Sequence, residues 1–192
     1  MKIVAGRLGG LALATVGKGD PANRLRPTSA RTRTRIFDCL VHASEGDRVA
    51  GRHVLDLFAG TGALGLEALS RGAAHACFVD NGPVACRLIR KNRELAGVLE
   101  NSTLLRRDAT CLGRNRRQEF ELVFLDPPYG AGLAVPALRA AASGRWLAPG
   151  CTVVVEDSTP LQAPGLLEPL FHRRSGNSVI SVLAWPGDTG PD

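Results

Sequence analysis

The tetrapeptide Asp126-Pro127-Pro128-Tyr129 combines a carboxylate, two residues without a backbone N–H and an aromatic ring. Proline fixes φ and withholds its donor, so such a turn is rigid and its carbonyls stay available as acceptors. Acceptors of this kind suit a particular task. An exocyclic amine on a nucleobase is a poor nucleophile, because its lone pair is delocalised into the ring. Two acceptors on its hydrogens, the Asp126 carboxylate and the Pro127 carbonyl, would turn that lone pair out of conjugation. Tyr129, the one tyrosine of the chain, offers a face on which an extruded base would stack, a contact worth about 1–3 kcal/mol. At average residue usage a given tetrapeptide occurs in a chain of this length about once in a thousand sequences, so coincidence explains this one poorly.

A second constellation lies upstream, in Asp56-Leu57-Phe58-Ala59-Gly60-Thr61-Gly62-Ala63-Leu64-Gly65. Glycines let a backbone approach a ligand closely, and Gly60, Gly62 and Gly65 have the spacing of a dinucleotide-binding loop. Asp80-Asn81 follows at about the separation at which a carboxylate meets a ribose hydroxyl. Asp108-Ala109 ends a third apolar run, where the acid would accept from an adenine amino group. Asp56, just before the glycines, argues against a pyrophosphate ligand. It would repel phosphate but accept from an ammonium group or from the loop amides. S-adenosylmethionine carries an ammonium and a sulfonium and no phosphate, so the acids favour it over a nicotinamide dinucleotide. The expected cofactor contacts are Asp56, Phe58, Ala59, Gly60, Thr61, Gly62, Ala63, Asp80, Asn81, Asp108 and Ala109. A displacement at a sulfonium methyl needs no metal, and none is expected.

Both constellations need a frame that brings loop ends together. Apolar runs at 53–59, 75–80, 102–108, 120–126 and 151–157 alternate with helical patterns at 64–72, 83–98 and 135–147. That alternation predicts an α/β fold, a mostly parallel sheet with helices on both faces. Residues 170–185 read as an antiparallel hairpin closing one edge, giving a seven-stranded Rossmann-like sheet. Ligands of such sheets bind beyond the carboxyl ends of the strands, which is where the loop, Asp80, Asp108 and Asp126 fall. Before the first strand, residues 2–16 read as a hairpin turning at Gly9-Gly10. Thr28 or Ser29 caps a helix with Ile36, Phe37, Leu40 and Val41 at helical spacing. Its exposed face is expected to carry Arg31, Arg33 and Arg35.

Charge divides the chain. Residues 1–52 hold 10 Lys+Arg against 4 Asp+Glu, and residues 53–192 hold 14 of each. A basic extension (1–52) on a neutral catalytic domain (53–185), with a frayed tail (186–192), suits capture of a polyanion. Arg7, Arg26, Arg31, Arg33 and Arg35 are the expected RNA contacts. The five cysteines form no C-x-x-C pair, which excludes a recognisable zinc or disulfide framework. No run approaches the roughly 18 apolar residues of a membrane span, so a cytoplasmic protein, acting as a monomer, is expected.

From residue 2 to 185 the chain resembles the Rossmann-like class I methyltransferases, and within them the bacterial 16S rRNA guanine-N2 methyltransferases of the RsmD type. Residues 56–65 look like that family's cofactor loop and 126–129 like its catalytic tetrapeptide. The segment Leu25 to Phe37 is similar to its R-P-T-T-D-R-V-R-E-S-L-F signature. Arg26, Pro27, Thr28, Arg31, Arg33 and Phe37 match, whereas Ala30, Thr34 and Arg35 replace Asp, Glu and Ser. The resemblance implies methyl transfer from S-adenosylmethionine to N2 of a guanine in 16S rRNA of the small ribosomal subunit or an assembly intermediate. Alternatives are a DNA adenine-N6 or other amine methyltransferase with a similar tetrapeptide, a nicotinamide-dependent oxidoreductase, and a non-catalytic RNA-binding assembly factor on the same fold.

Overall fold

The computed structural model describes residues 1–16, 28–43, 46–128, 130–163, 165–176 and 178–187. Its centre is a seven-stranded sheet in the order β3-β2-β1-β4-β5-β7-β6. The strands are β1 (His53–Leu57), β2 (His75–Asp80), β3 (Ser102–Arg106), β4 (Phe120–Leu125), β5 (Leu147–Asp157), β6 (Glu168–Ser175) and β7 (Ser178–Ala184). The first five run parallel, with Leu55 abreast of Cys77 and of Val123. β7 pairs antiparallel with β5, and β6 with β7. This is the α/β architecture expected, with the closing hairpin at one edge.

Successive strand residues face opposite sides, so the apolar runs feed two cores. Val54, Phe78, Leu122, Phe124 and Val154 face one side, where helices α1 (Ala30–Val41), α2 (Ala63–Ser70) and α3 (Pro83–Leu95) cover them. Leu55, Leu57, Val79, Val123 and Leu125 face the other, beneath α4 (Ala134–Ser143) and Trp146. The central strands β1, β2 and β4 are buried on both faces, which is why they read as continuous apolar runs and not as alternations.

Two expectations for the first 52 residues need correction. Residues 2–16 do not form paired strands. They make one isolated antiparallel bridge, Lys2 to Ala12, flanked by Ile3 N donating to Leu11 O and Leu13 N donating to Met1 O. Gly10 N also donates to Ile3 O, and several of the remaining backbone donors go to helices. The Glu67 carboxylate accepts from Val4 N and Ala5 N at 2.7 and 3.0 Å. Ser70 Oγ accepts from Leu8 N at 2.9 Å, and Asn92 Oδ1 accepts from Ala14 N at 2.7 Å. A glycine is required at Gly6, which has φ +80 and stands where a Cβ would lie 2.0 Å from the Ser70 carbonyl.

The second correction concerns Arg33. Ser29 caps α1, its hydroxyl accepting from Thr32 N at 3.1 Å. Arg31 is exposed and Arg35 half-buried, but Arg33 is 0% exposed. It lies on the same helical face as Ile36, Phe37 and Leu40, and the Phe37 ring packs tilted at 54° against Phe124 with centroids 5.6 Å apart. Arg33 donates to the carbonyls of Lys2 (2.5 Å) and Thr28 (3.4 Å). It ties the N-terminal turn to α1 and presents no charge to an RNA backbone. The apolar residues of this segment, Ile3, Leu13, Phe37 and Leu40 among them, belong to the same core as the sheet.

Candidate active site

Three strand ends and one loop converge at the carboxyl edge of the sheet. After β1 the chain turns through Phe58 (φ 61), Ala59, Gly60 (φ 58), Thr61 and Gly62 (φ 78) before entering α2 at Ala63. A left-handed Phe58 costs about 1–2 kcal/mol, a strain that tight turns at ligand sites retain when their surroundings over-determine them. Here those surroundings are specific. Ala59 N donates to Val79 O at 3.1 Å, and Gly62 N to Ala59 O at 2.7 Å. Asn92 Nδ2 donates to Thr61 O at 2.9 Å. Gly65 is needed for packing. A Cβ there would lie 2.4 Å from the Phe78 ring, so α2 could not sit so close to β2.

Each acid predicted for the cofactor holds part of this loop system. Asp56 is buried and its Oδ2 accepts from Gly65 N at 2.9 Å. Asp80 grips both sides of the crevice, Oδ2 accepting from Gly60 N at 2.9 Å and Oδ1 from Gly82 N at 2.8 Å. Asn81, next to it, is exposed. Asp108 caps the short 3-10 turn Ala109–Cys111, accepting from Thr110 N and its hydroxyl at 2.8 and 2.7 Å. Those bonds hold the Asp108 carboxyl below its usual range. Ala109 is buried beneath it.

The electrostatics discriminate between ligands. Burial pushes Asp56 well above the ordinary carboxylate range; the Gly65 amide works against that, and the charges of Asp126 and Asp80 add to it. Burial also raises Asp80, against the amides of Gly60 and Gly82. A set of carboxylates that repel one another is relieved by a cation and worsened by a pyrophosphate. The residues therefore fit the ammonium and sulfonium of S-adenosylmethionine, with room for close approach at Gly60 and Gly62. Among the described residues, no group of three or more His, Cys, Asp or Glu is placed to hold a metal ion.

This buried acid carries a testable cost. Its folded pKa lies above the unfolded value, so the folded state binds more protons between the two. Ionised Asp56 therefore destabilises the protein, and stability falls as pH rises through the interval above the ordinary carboxylate range. Asp56→Asn keeps an acceptor for Gly65 N and removes the charge. The variant should melt above wild type at neutral pH, by about 2–4 °C for each 1 kcal/mol recovered, with a shallower pH dependence. Calorimetry should show weaker S-adenosylmethionine binding. A lower melting temperature at every pH would overturn this account.

Asp126 follows Leu125, whose register partner on β1 is Leu57, so it stands beside the turn at Phe58. The Thr28 hydroxyl donates to Asp126 Oδ2. The sequence contained no signal for this bond, which spans 98 residues. Pro127 is buried and Pro128 exposed. Pro128's carbonyl accepts from Ala131 N at 3.3 Å, so it is not the spare acceptor. Among the described residues no hydrogen bond reaches the Pro127 carbonyl. Tyr129 and Arg26 lie outside the described residues, and Arg7 is exposed at the N-terminal turn. Asn92 was also missed. Its sequence signal was a polar residue on the stripe Ala85, Cys86, Ile89, the buried face of α3.

A glycine loop after β1, acids at the ends of β2 and β3 and a carboxylate-diproline turn after β4 define an S-adenosylmethionine-dependent methyltransferase fold. Residues 1–184 match the family model described as Conserved hypothetical protein 95. The chain belongs to that family, which is the family of the ribosomal RNA small subunit methyltransferase D proteins. It is 32% identical over 166 residues to "Ribosomal RNA small subunit methyltransferase D" of Haemophilus influenzae, covering 81% of this chain and 78% of that one. The Escherichia coli protein of the same name is 34% identical over 134 residues, 69% of this chain and 64% of its own length. Among solved structures, yhhF of Escherichia coli superposes with a TM-score of 0.80 at 26% identity, covering 98% of this chain and 99% of that one. An RNA methyltransferase of Salinibacter ruber in complex with S-adenosyl-L-homocysteine shares the fold, with a TM-score of 0.65 at 20% identity over 87% and 98% of the two chains.

Proposed function

We propose that this enzyme methylates N2 of a guanine in 16S rRNA, in the small ribosomal subunit or an assembly intermediate, using S-adenosylmethionine. The observation that carries the reading is that Asp126 follows β4 abreast of the glycine turn after β1, next to a Pro127 carbonyl that no hydrogen bond reaches among the described residues. S-adenosylmethionine, when bound, supplies an electrophilic methyl group. Asp56, Phe58 to Ala63, Asp80-Asn81 and Asp108-Ala109 are the residues to hold it. Asp80 serves the ribose, and Asp108 the adenine amino group. Asp126 and Pro127 accept from the two hydrogens of the base amine and turn its lone pair outward. Tyr129 stacks the base. The proton leaves after transfer, so the site needs no strong general base.

The names borne by the relatives support rRNA as the substrate class. A DNA adenine-N6 methyltransferase would use a similar turn, but the relatives bear the names of rRNA enzymes. The deciding measurement is nucleoside mass spectrometry of small-subunit RNA from cells with and without the gene. Loss of N2-methylguanosine, restored by the wild-type gene, is the expected result. Unchanged N2-methylguanosine would refute the substrate assignment.

A further inference from the structure

The zero charge balance of residues 53–192 conceals a segregation. Asp56, Glu67 and Glu156 are buried and Asp80 and Asp126 partly so, while many of the arginines face outward. On the α4 side of the sheet two adjoining grooves, about 1000 and 690 Å³, share Arg114. Together they bring Arg107, Arg114, Arg116, Arg117, Arg139 and Arg145 to one surface. No Asp or Glu lines either groove. All six arginines are exposed. The ion pairs among the described residues are Arg52 with Glu121 and Arg71 with Glu67, so none of the six is neutralised in this way.

The local architecture explains why the surface exists. Between β3 and β4 the chain makes only the 3-10 turn Ala109–Cys111 and then runs as an irregular segment to β4. No helix covers the outer strands there, and a groove reaches sheet residues His75, Cys77, Thr103 and Leu105. The arginines come from a segment that is held in place. Trp146 Nε1 donates to Gly113 O at 2.7 Å, and Asn115 N to Gly144 O at 2.7 Å. Asn115 Nδ2 donates to Gln118 O and Arg145 O at 2.9 and 3.1 Å. Arg117 N donates to Asn115 Oδ1 at 2.9 Å, and Arg107 to Leu112 O at 2.7 Å. Arg145 itself sits at φ 57, a conformation costing a non-glycine residue about 1–2 kcal/mol. Guanidinium groups on a pinned segment lose less freedom on meeting a ligand than the same groups on a free loop.

We propose that this arginine surface binds the phosphodiester backbone of a second segment of the substrate RNA, remote from the target base. The inference rests on the rRNA reading. Charge complementarity and groove form favour a polyanion, and guanidinium groups pair well with phosphate. The surface lies on the sheet face opposite α1, which packs with Phe124 on the other side. Arg31 and this surface are therefore two separate grips. A short hairpin meets one of them, whereas a folded rRNA domain presents backbone to both.

The test is a triple variant, Arg114→Gln, Arg116→Gln and Arg117→Gln, compared with wild type across a salt titration. The bonds that pin the segment come from backbone groups, Asn115, Trp146 and Arg107, none of which the variant changes, so folding should survive, which a thermal melt verifies. On a full-length 16S rRNA transcript, affinity should fall at least tenfold and the salt slope should flatten by about 2 to 3 units. On a short RNA hairpin and on S-adenosylmethionine, affinities should be unchanged. An unaltered slope on the transcript would overturn the proposal. So would an equal loss on both RNAs, which would place the arginines at the primary grip. Weaker binding to assembled subunits with naked RNA unaffected would also overturn it, pointing to a protein contact. Failure of the wild type to bind either RNA or assembled small subunits would instead count against the rRNA reading itself.

Discussion

Asp126→Ala is expected to reduce kcat by about 10²–10³-fold, the usual effect of removing one preorganised stabilising group, with S-adenosylmethionine affinity within about twofold of wild type. The asymmetry follows from where Asp126 acts. In the proposed mechanism its carboxylate meets the amine, and that contact would gain strength as nitrogen rehybridises, so the loss would fall on the transition state. The cofactor loop is held by other groups, Asp80 on Gly60 and Asn92 on Thr61. Asp126→Asn keeps one acceptor and should fall between. Thr28 acts through Asp126, since its hydroxyl donates to Oδ2. Thr28→Val should therefore lower kcat by roughly tenfold, the worth of about 1.4 kcal/mol, and leave cofactor binding alone. Single-turnover rates with calorimetry on the same preparations separate these effects. Wild-type turnover in Asp126→Ala would show that the carboxylate is structural and that the amine is oriented otherwise.

The parts of the site that were readable in the chain are those whose geometry is local. A strand that ends in glycines, or in Asp-Pro-Pro, carries its own turn chemistry, and the parallel sheet then aligns the ends. Arg33 shows where another rule prevailed. Its spacing to Phe37 and Leu40 is that of one helical face, so periodicity placed it inward, yet its charge argued for solvent. Burial won because two carbonyls and the nearby Glu67 charge receive the guanidinium. The N-terminal turn failed differently. Its Gly9-Gly10 turn implied paired strands, but four of its backbone donors found Glu67, Ser70 and Asn92, partners 62 to 78 residues away that no local pattern reveals. Charge counted along the chain also located only the first basic region, because acids folded into the crevice cancelled arginines facing outward.

Glu67 is the side chain whose loss should cost most stability outside the apolar core. It is 0% exposed, and its carboxylate accepts from Val4 N, Ala5 N and, at 3.0 Å, Arg71 Nε. Arg71 in turn lies 4.9 Å over the Phe37 ring. Glu67 is also the charge that supports the guanidinium of Arg33, which burial otherwise disfavours. Glu67→Ala leaves two amides without their acceptor and two arginines without their counter-charge. Breaking a buried pair in this way costs about 3–5 kcal/mol, a fall in melting temperature of roughly 6–20 °C for a chain of this size. Glu67→Gln retains acceptor and donor but not charge, so it should fold and lose less. The consequence reaches the catalytic turn. Glu67 holds the N-terminal turn, Arg33 bonds that turn's Lys2 carbonyl and Thr28, and Thr28 bonds Asp126. In Glu67→Gln, hydrogen exchange at Val4 and Ala5 should accelerate and kcat should drop several-fold with cofactor affinity preserved. Should Glu67→Ala melt within about 2 °C of wild type, the carboxylate is not the clamp, and the N-terminal turn must be held by Ser70, Asn92 and Arg33.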